Sequence, residues 1–188
     1  ETEARWLATF AEYQQYPEYQ KINQGMDLAG FKQIFLFEYL HRVLGRLIGL
    51  MYFVPLVIFA LRKMIAPQLL PTLILLLILG AAQGLLGWYM VKSGLVDRPS
   101  VSQYRLTAHL GVAVAIYALM MWLVLRVSSG LSPALKQISG WGWMLVVGVY
   151  TLILSGGFMA GTDAGFAYPT WPMMGETFVP LGLSLIHI

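Results

Sequence analysis

The sequence predicts an all-α protein, a polytopic transmembrane helix bundle with four visible spans. Three observations carry that expectation. Of 188 residues, 58% are hydrophobic and only 11% charged, and the mean hydropathy is +0.68, far from the composition of a soluble domain. Four apolar stretches reach the roughly 20 residues that a helix needs to cross a hydrocarbon core: about Ile34 to Leu61, Leu70 to Val91, Leu106 to Val127 and Gly140 to Ala160. The charges gather at one end of these spans, since the opposite end carries only Arg62, Lys63, Arg126 and Lys136.

Residues 1–33 are polar but rich in aromatics, among them Trp6, Phe10, Tyr13, Tyr16 and Tyr19. They read as an extracytoplasmic segment lying at the lipid headgroups. Asp27 is placed to cap the helix that follows. Pro55 falls inside the first span and should kink it, and Arg62 and Lys63 end that span. The two short loops at the Arg62 end hold basic residues and no carboxylate, which assigns that end to the cytoplasm. Glycines four residues apart recur at Gly45 and Gly49, Gly80 and Gly84, and Gly157 and Gly161; this spacing lets helix backbones approach closely, or leaves grooves for a flat ligand. Residues 161–188 form an extracytoplasmic loop and tail. No stretch has the build of a cleavable signal. The chain opens on Glu1 rather than Met and is expected to be a fragment. Cysteine is absent, which excludes thiolate ligands, disulfides and Cys nucleophiles from these residues.

The chemistry concentrates in the first and third spans. Glu38, His41, Arg42 and Arg46 stand on successive turns at the start of the first span, at a depth where ionisable groups cost free energy and usually face a cavity, a partner or a cofactor. Consecutive spans alternate in direction, so the first and third run parallel. His41 and His109 each lie within about two turns of the same membrane face, given a pitch of 5.4 Å. If these spans are neighbours, the two imidazoles face each other across a gap that suits bis-histidine haem ligation. Gly45 and Ala113, each four residues past a histidine, give a ring clearance. Arg42, Arg46 and Arg105 are suited to haem propionates, because a guanidinium matches carboxylate geometry. Glu38 is then an acid beside the ring. An internal Glu–Arg–His ion network is the plainer alternative for His41. Asp163 and Tyr168 are candidates to close a lid over the site, Trp171 and Met173 read as interfacial packing, and His187 has no supporting acid.

The stretches FLFEYLHRVLGRLIGL, QGLLGWYMVKSGL, VSQYRLTAHLG and SGGFMAGTDAGFAYPTWPMMGE, in this order and spacing, resemble the heme A synthase family of the mitochondrial and alphaproteobacterial type, from about Trp6 to Pro180. The resemblance implies an eight-helix fold of two four-helix halves, in which these spans are the second to fifth. It implies oxidation of a methyl group of heme O to the formyl group of heme A for cytochrome c oxidase biogenesis. His41 and His109 are then the iron ligands of the substrate half, and Glu38 matches the family's functional carboxylate. The expected cofactor is heme b, held in the C-terminal half that these residues lack, so the fragment alone is expected to be inactive. The tail LGLSLIHI, from Leu181, departs from the loop expected there. Expected partners are heme O, membrane lipid, heme O synthase, an electron donor and a further copy of the chain; nothing calls for nucleic acid. The short loop between second and third spans favours a bacterial plasma membrane over a mitochondrial inner membrane. Two rivals share some of these features: a b-type bis-histidine electron-transfer cytochrome, and a transporter or assembly scaffold with a Glu–Arg–His proton relay.

Overall fold

The computed structural model describes residues 2–94, 101–128, 139–167, 170 and 173–178. Its elements are α1 (Glu3–Tyr13), α2 (Pro17–Lys21), α3 (Leu28–Leu61), α4 (Leu70–Gly94), α5 (Gln103–Ser128), α6 (Gly140–Gly161) and α7 (Ala164–Ala167). No strand occurs among the described residues, and α3 to α6 are each long and apolar enough to cross a membrane.

The four long helices coincide with the four expected spans, but α3 begins two turns earlier than hydropathy alone indicated. Asp27 is the cause. Its backbone is extended (φ −85°, ψ 172°) and its carboxylate accepts from Gly30 N at 2.8 Å, which satisfies one of the free N–H groups of the first turn. Helix therefore starts at Leu28, ahead of the apolar run, and passes through Pro55 to Leu61. At the other end Lys63 adopts a left-handed backbone (φ 55°), with Met64 N donating to Phe59 O at 2.9 Å and Lys63 N to Ala60 O at 3.0 Å, a bond pattern that closes a helix C-terminus. Asp163 (φ 54°) does the same after α6.

The spans pack in chain order, α3 on α4, α4 on α5 and α5 on α6. Each pair is joined by a side chain on one helix donating to a backbone carbonyl of the other: Tyr52 Oη to Leu73 O (2.9 Å), Gln83 Nε2 to His109 O (2.9 Å) and Tyr150 Oη to Gly111 O (3.1 Å). In a lipid environment such bonds contribute on the order of 0.6 kcal/mol each. The closest approach is between α5 and α6. A Cβ added at Gly161 would lie 2.6 Å from the Gln103 backbone, and one at Gly157 would lie 3.1 Å from Thr107 Oγ1, so this glycine pair does bring two backbones together. The expectation fails for the others, because Gly45, Gly49, Gly80 and Gly84 meet no described atom within 4 Å. The spacing fixes which glycines share a face, not which face meets a helix.

Few apolar side chains are buried, chiefly Phe31, Leu56, Leu76 and Leu123, as befits helices whose outer surface has lipid for solvent. Four of the five N-terminal aromatics pack on one another and on the start of α3. Trp6, Phe10, Tyr13 and Tyr19 form edge and tilted contacts around Phe31 and Phe35, with Tyr13–Phe31 and Trp6–Phe35 centroids both 5.0 Å apart. Tyr16 remains 52% exposed. This aromatic cluster fastens α1 and α2 across the entry of α3.

Candidate functional site

Helical spacing on α3 sets Glu38 beside Arg42, and the guanidinium donates to Glu38 Oε2 at 2.7 Å with both side chains about half exposed. Such an exposed pair is worth little stability in water. Its significance is positional, because it keeps a carboxylate and a guanidinium one turn from His41. His41 is exposed on the same helix, and Arg46 is exposed one turn further on.

His109 sits on α5, half-buried, with a buried Nδ1 that has no hydrogen-bond partner among the described residues. His41 and His109 stand on the first and third spans, α3 and α5. They do not meet across a direct α3–α5 interface, however. The α4 helix packs against both α3 and α5, and the His109 ring rests on Gly87 of that helix, where a Cβ would come within 3.1 Å of Cε1. Gln83, one turn before Gly87, is the residue that binds the His109 carbonyl.

Arg105, one turn before His109 on α5, lies with its guanidinium 4.7 Å from the Tyr89 ring centre. Lys92 covers Trp88 at the same distance. The cationic side chains at this end of α4 and α5 are therefore held on aromatic faces, an attraction of about 0.5–1 kcal/mol where exposed. Glu38 and Arg42 also line a cleft of about 480 Å³ that opens between the N-terminal segment and the end of α4, with Tyr13, Glu18, Phe31 and Lys92 on its other walls. Burial pushes the Glu18 carboxyl above the usual carboxylate range; the Glu38 charge adds to this and a hydrogen bond with Tyr13 opposes it. Asn23 Nδ2 donates to Tyr13 Oη at 2.8 Å and fixes that ring.

Among the described residues no three His, Asp or Glu side chains converge on one point, so a carboxylate-rich metal centre has no donor set here. A haem held by two imidazoles does fit. His109 offers a ring whose buried Nδ1 has no partner among the described residues, Gly87 leaves a slot for that ring, and Gly45 beyond His41 faces open space. The arginines Arg42, Arg46 and Arg105 stand on the same helices as the two histidines but are not gathered on one acceptor.

Of the remaining candidates, Asp163 is exposed and serves as the left-handed residue that ends α6. Met173 belongs to a short turn in which Thr170 Oγ1 donates to Met173 O (3.1 Å) and accepts from Gly175 N (3.0 Å). Lys136, Tyr168, Trp171, His187 and the tail from Leu181 lie outside the described residues. Chemical reasoning from sequence missed Gln83, Gly87 and Glu18. The first two lie in the QGLLGWYMVKSGL stretch but do not titrate. The third lies in the N-terminal segment, whose folding back over α3 is not written in hydropathy.

A family model described as cytochrome oxidase assembly protein matches residues 1–187. The chain is 49% identical over 187 residues to a heme A synthase of Nitrosospira multiformis, covering 97% of this chain and 52% of that protein. It is 48% identical over 188 residues to one from Nitrosomonas eutropha (97% and 53%) and 45% identical over 183 residues to one from Parvibaculum lavamentivorans (97% and 53%). The chain spans about half the length of the curated relatives it matches. No solved structure matches.

Proposed function

Because the chain belongs to this cytochrome oxidase assembly family, we propose that it forms the substrate-haem part of a heme A synthase, a membrane oxidoreductase that converts the methyl group of heme O to the formyl group of heme A. The observation that supports the reading is the seat of His109 on Gly87, with a buried Nδ1 that has no partner among the described residues, on a span two along from the one that carries His41 and the Glu38–Arg42 pair.

In this reading His41 and His109 would hold the iron of heme O. When bound, heme O would present the methyl carbon that is oxidised, and the full-length protein would have to supply the electron acceptor. Arg42 donates to Glu38 through one N–H and retains others for a propionate. Arg46 and Arg105 supply further cationic charge at the same end. Glu38, set one helical turn before His41, accepts or returns a proton next to the ring, or faces positive charge that develops on it. The aromatic N-terminal segment packs on this end of α3 and leaves the carboxylate about half exposed. Its location would be the extracytoplasmic side of a bacterial plasma membrane, with the Arg62 end in the cytoplasm.

The test is pigment analysis of the full-length protein expressed with a source of heme O. A synthase accumulates heme A or its hydroxylated precursor, and this is lost in His41→Ala and His109→Ala. A b-type electron carrier would return its haem chemically unchanged. A proton-relay scaffold would show no haem band in a reduced-minus-oxidised spectrum, and either outcome sinks the proposal.

A further inference from the structure

A histidine that binds iron through Nε2 carries its proton on Nδ1, and a buried Nδ1–H needs an acceptor to fix the ring and strengthen the donor nitrogen. His109 has no such acceptor among its present hydrogen bonds. The buried oxygen of Gln83, Oε1, is also without a partner, although its amide nitrogen already donates to His109 O at 2.9 Å. Unmatched buried polar atoms are costly, and here one potential donor and one free acceptor belong to two residues already in contact. Gly87, one turn along the same face of α4, adjoins the ring itself, with an added Cβ placed 3.8 Å from Nδ1.

We infer that α4, which carries no iron ligand, positions the ligand His109: Gln83 clamps it through both arms of its amide, Nε2 on the backbone carbonyl and Oε1 on Nδ1–H, while Gly87 provides the slot in which the imidazole turns toward iron. This rests on the haem reading of His41 and His109. Gln83 is a positioning residue, since it touches neither the macrocycle nor the reacting carbon in this arrangement. The clamp selects one ring tautomer and holds Nε2 toward α3. The bond to the carbonyl ties α4 to α5 through the backbone of the ligand residue itself. The second arm closes only when iron fixes the proton on Nδ1, which makes the amide a means of coupling haem binding to the α4–α5 interface.

The test uses the full-length protein purified with its haem, and reads haem retention and midpoint potential. His109→Ala first defines the part of the spectrum that belongs to this site. Should His109→Ala leave haem content and spectrum unaltered, the haem reading itself fails. Where it removes a component, Gln83→Leu is expected to weaken retention of that component by about 10–100-fold, the loss typical for removal of a ligand's hydrogen-bond partner, and to raise its potential, because the imidazole becomes a weaker donor. Gln83→Glu keeps an oxygen acceptor and restores charge density on the ring, so its potential moves the opposite way. Tyr52→Phe, which removes a comparable cross-helix bond between α3 and α4, is expected to leave both readouts unchanged. The inference is overturned if the two Gln83 variants shift the potential in the same direction or not at all, or if Tyr52→Phe matches Gln83→Leu.

Discussion

Substitution of Gly161 by alanine tests the closest helix contact in the molecule. The added Cβ would sit 2.6 Å from Gln103 Cα and 2.8 Å from Gln103 Cβ, against about 3.4 Å for ordinary contact. Neither obstacle is a flexible tip, so the backbones of α5 and α6 must part by roughly 0.8 Å or tilt. A gap of 0.5–1 Å forfeits about a quarter to a half of each atomic attraction along the seam, and overpacking of this kind typically costs about 1–3 kcal/mol. Alanine's better helix propensity, worth up to about 1 kcal/mol in a helix interior, offsets little of this at the last helical residue. Gly156→Ala supplies the comparison. It lies on the same helix with nothing within 4 Å, so only the propensity gain applies and the variant should be neutral or about 0.5–1 kcal/mol more stable. Unfolding of the chain in detergent, followed by tryptophan fluorescence, should therefore separate the two variants by about 1.5–4 kcal/mol. Equal midpoints would mean that α5 and α6 do not cross at Gly161, and the packing order would have to be redrawn.

Three further outcomes follow from the site and its surroundings. Asp27→Ala removes the cap of α3 and should cost about 0.5–2 kcal/mol, read as an earlier unfolding midpoint and faster amide exchange over 28–31. Glu18 has a raised folded pKa, so it binds its proton more tightly folded than unfolded. Its contribution is fully present below the ordinary value of 4.5 and is lost as pH rises through the raised folded value. Docking of the N-terminal segment, followed by Trp6 quenching or limited proteolysis, should loosen over that range, and Glu18→Gln should flatten the profile. In the full-length protein, Glu38→Gln should leave haem bound but cut formation of oxidised haem by about 10²–10⁴-fold, the usual contribution of a positioned acid or base; undiminished heme A would remove Glu38 from the chemistry.

The four spans were legible in the sequence because a long apolar run reports a helix that can cross a membrane. Rotation about each helix axis was not legible. Glycine spacing promised close contact at three places and delivers it at Gly157 and Gly161 alone, since an apolar helix in lipid has no polar face to reveal its orientation. The same blindness hid Gln83 and Gly87: neutral residues on a span without histidine carry no charge signal, and their role emerges only once α4 is seen to separate α3 from α5. The early start of α3 escaped for a different reason, as its first turns are held by the Asp27 cap and by aromatic contacts with α1 rather than by lipid.

The bonds from Tyr52, Gln83 and Tyr150 each reach from one span to its neighbour in the chain. A nascent polypeptide leaving the translocon can thus secure every new hairpin with what has already been synthesised, and none of these polar groups waits in the bilayer for a distant segment. Local pairing of this sort keeps contact order low. The histidine on α5 would find its seat on α4 as soon as that hairpin closes, long before any porphyrin is delivered.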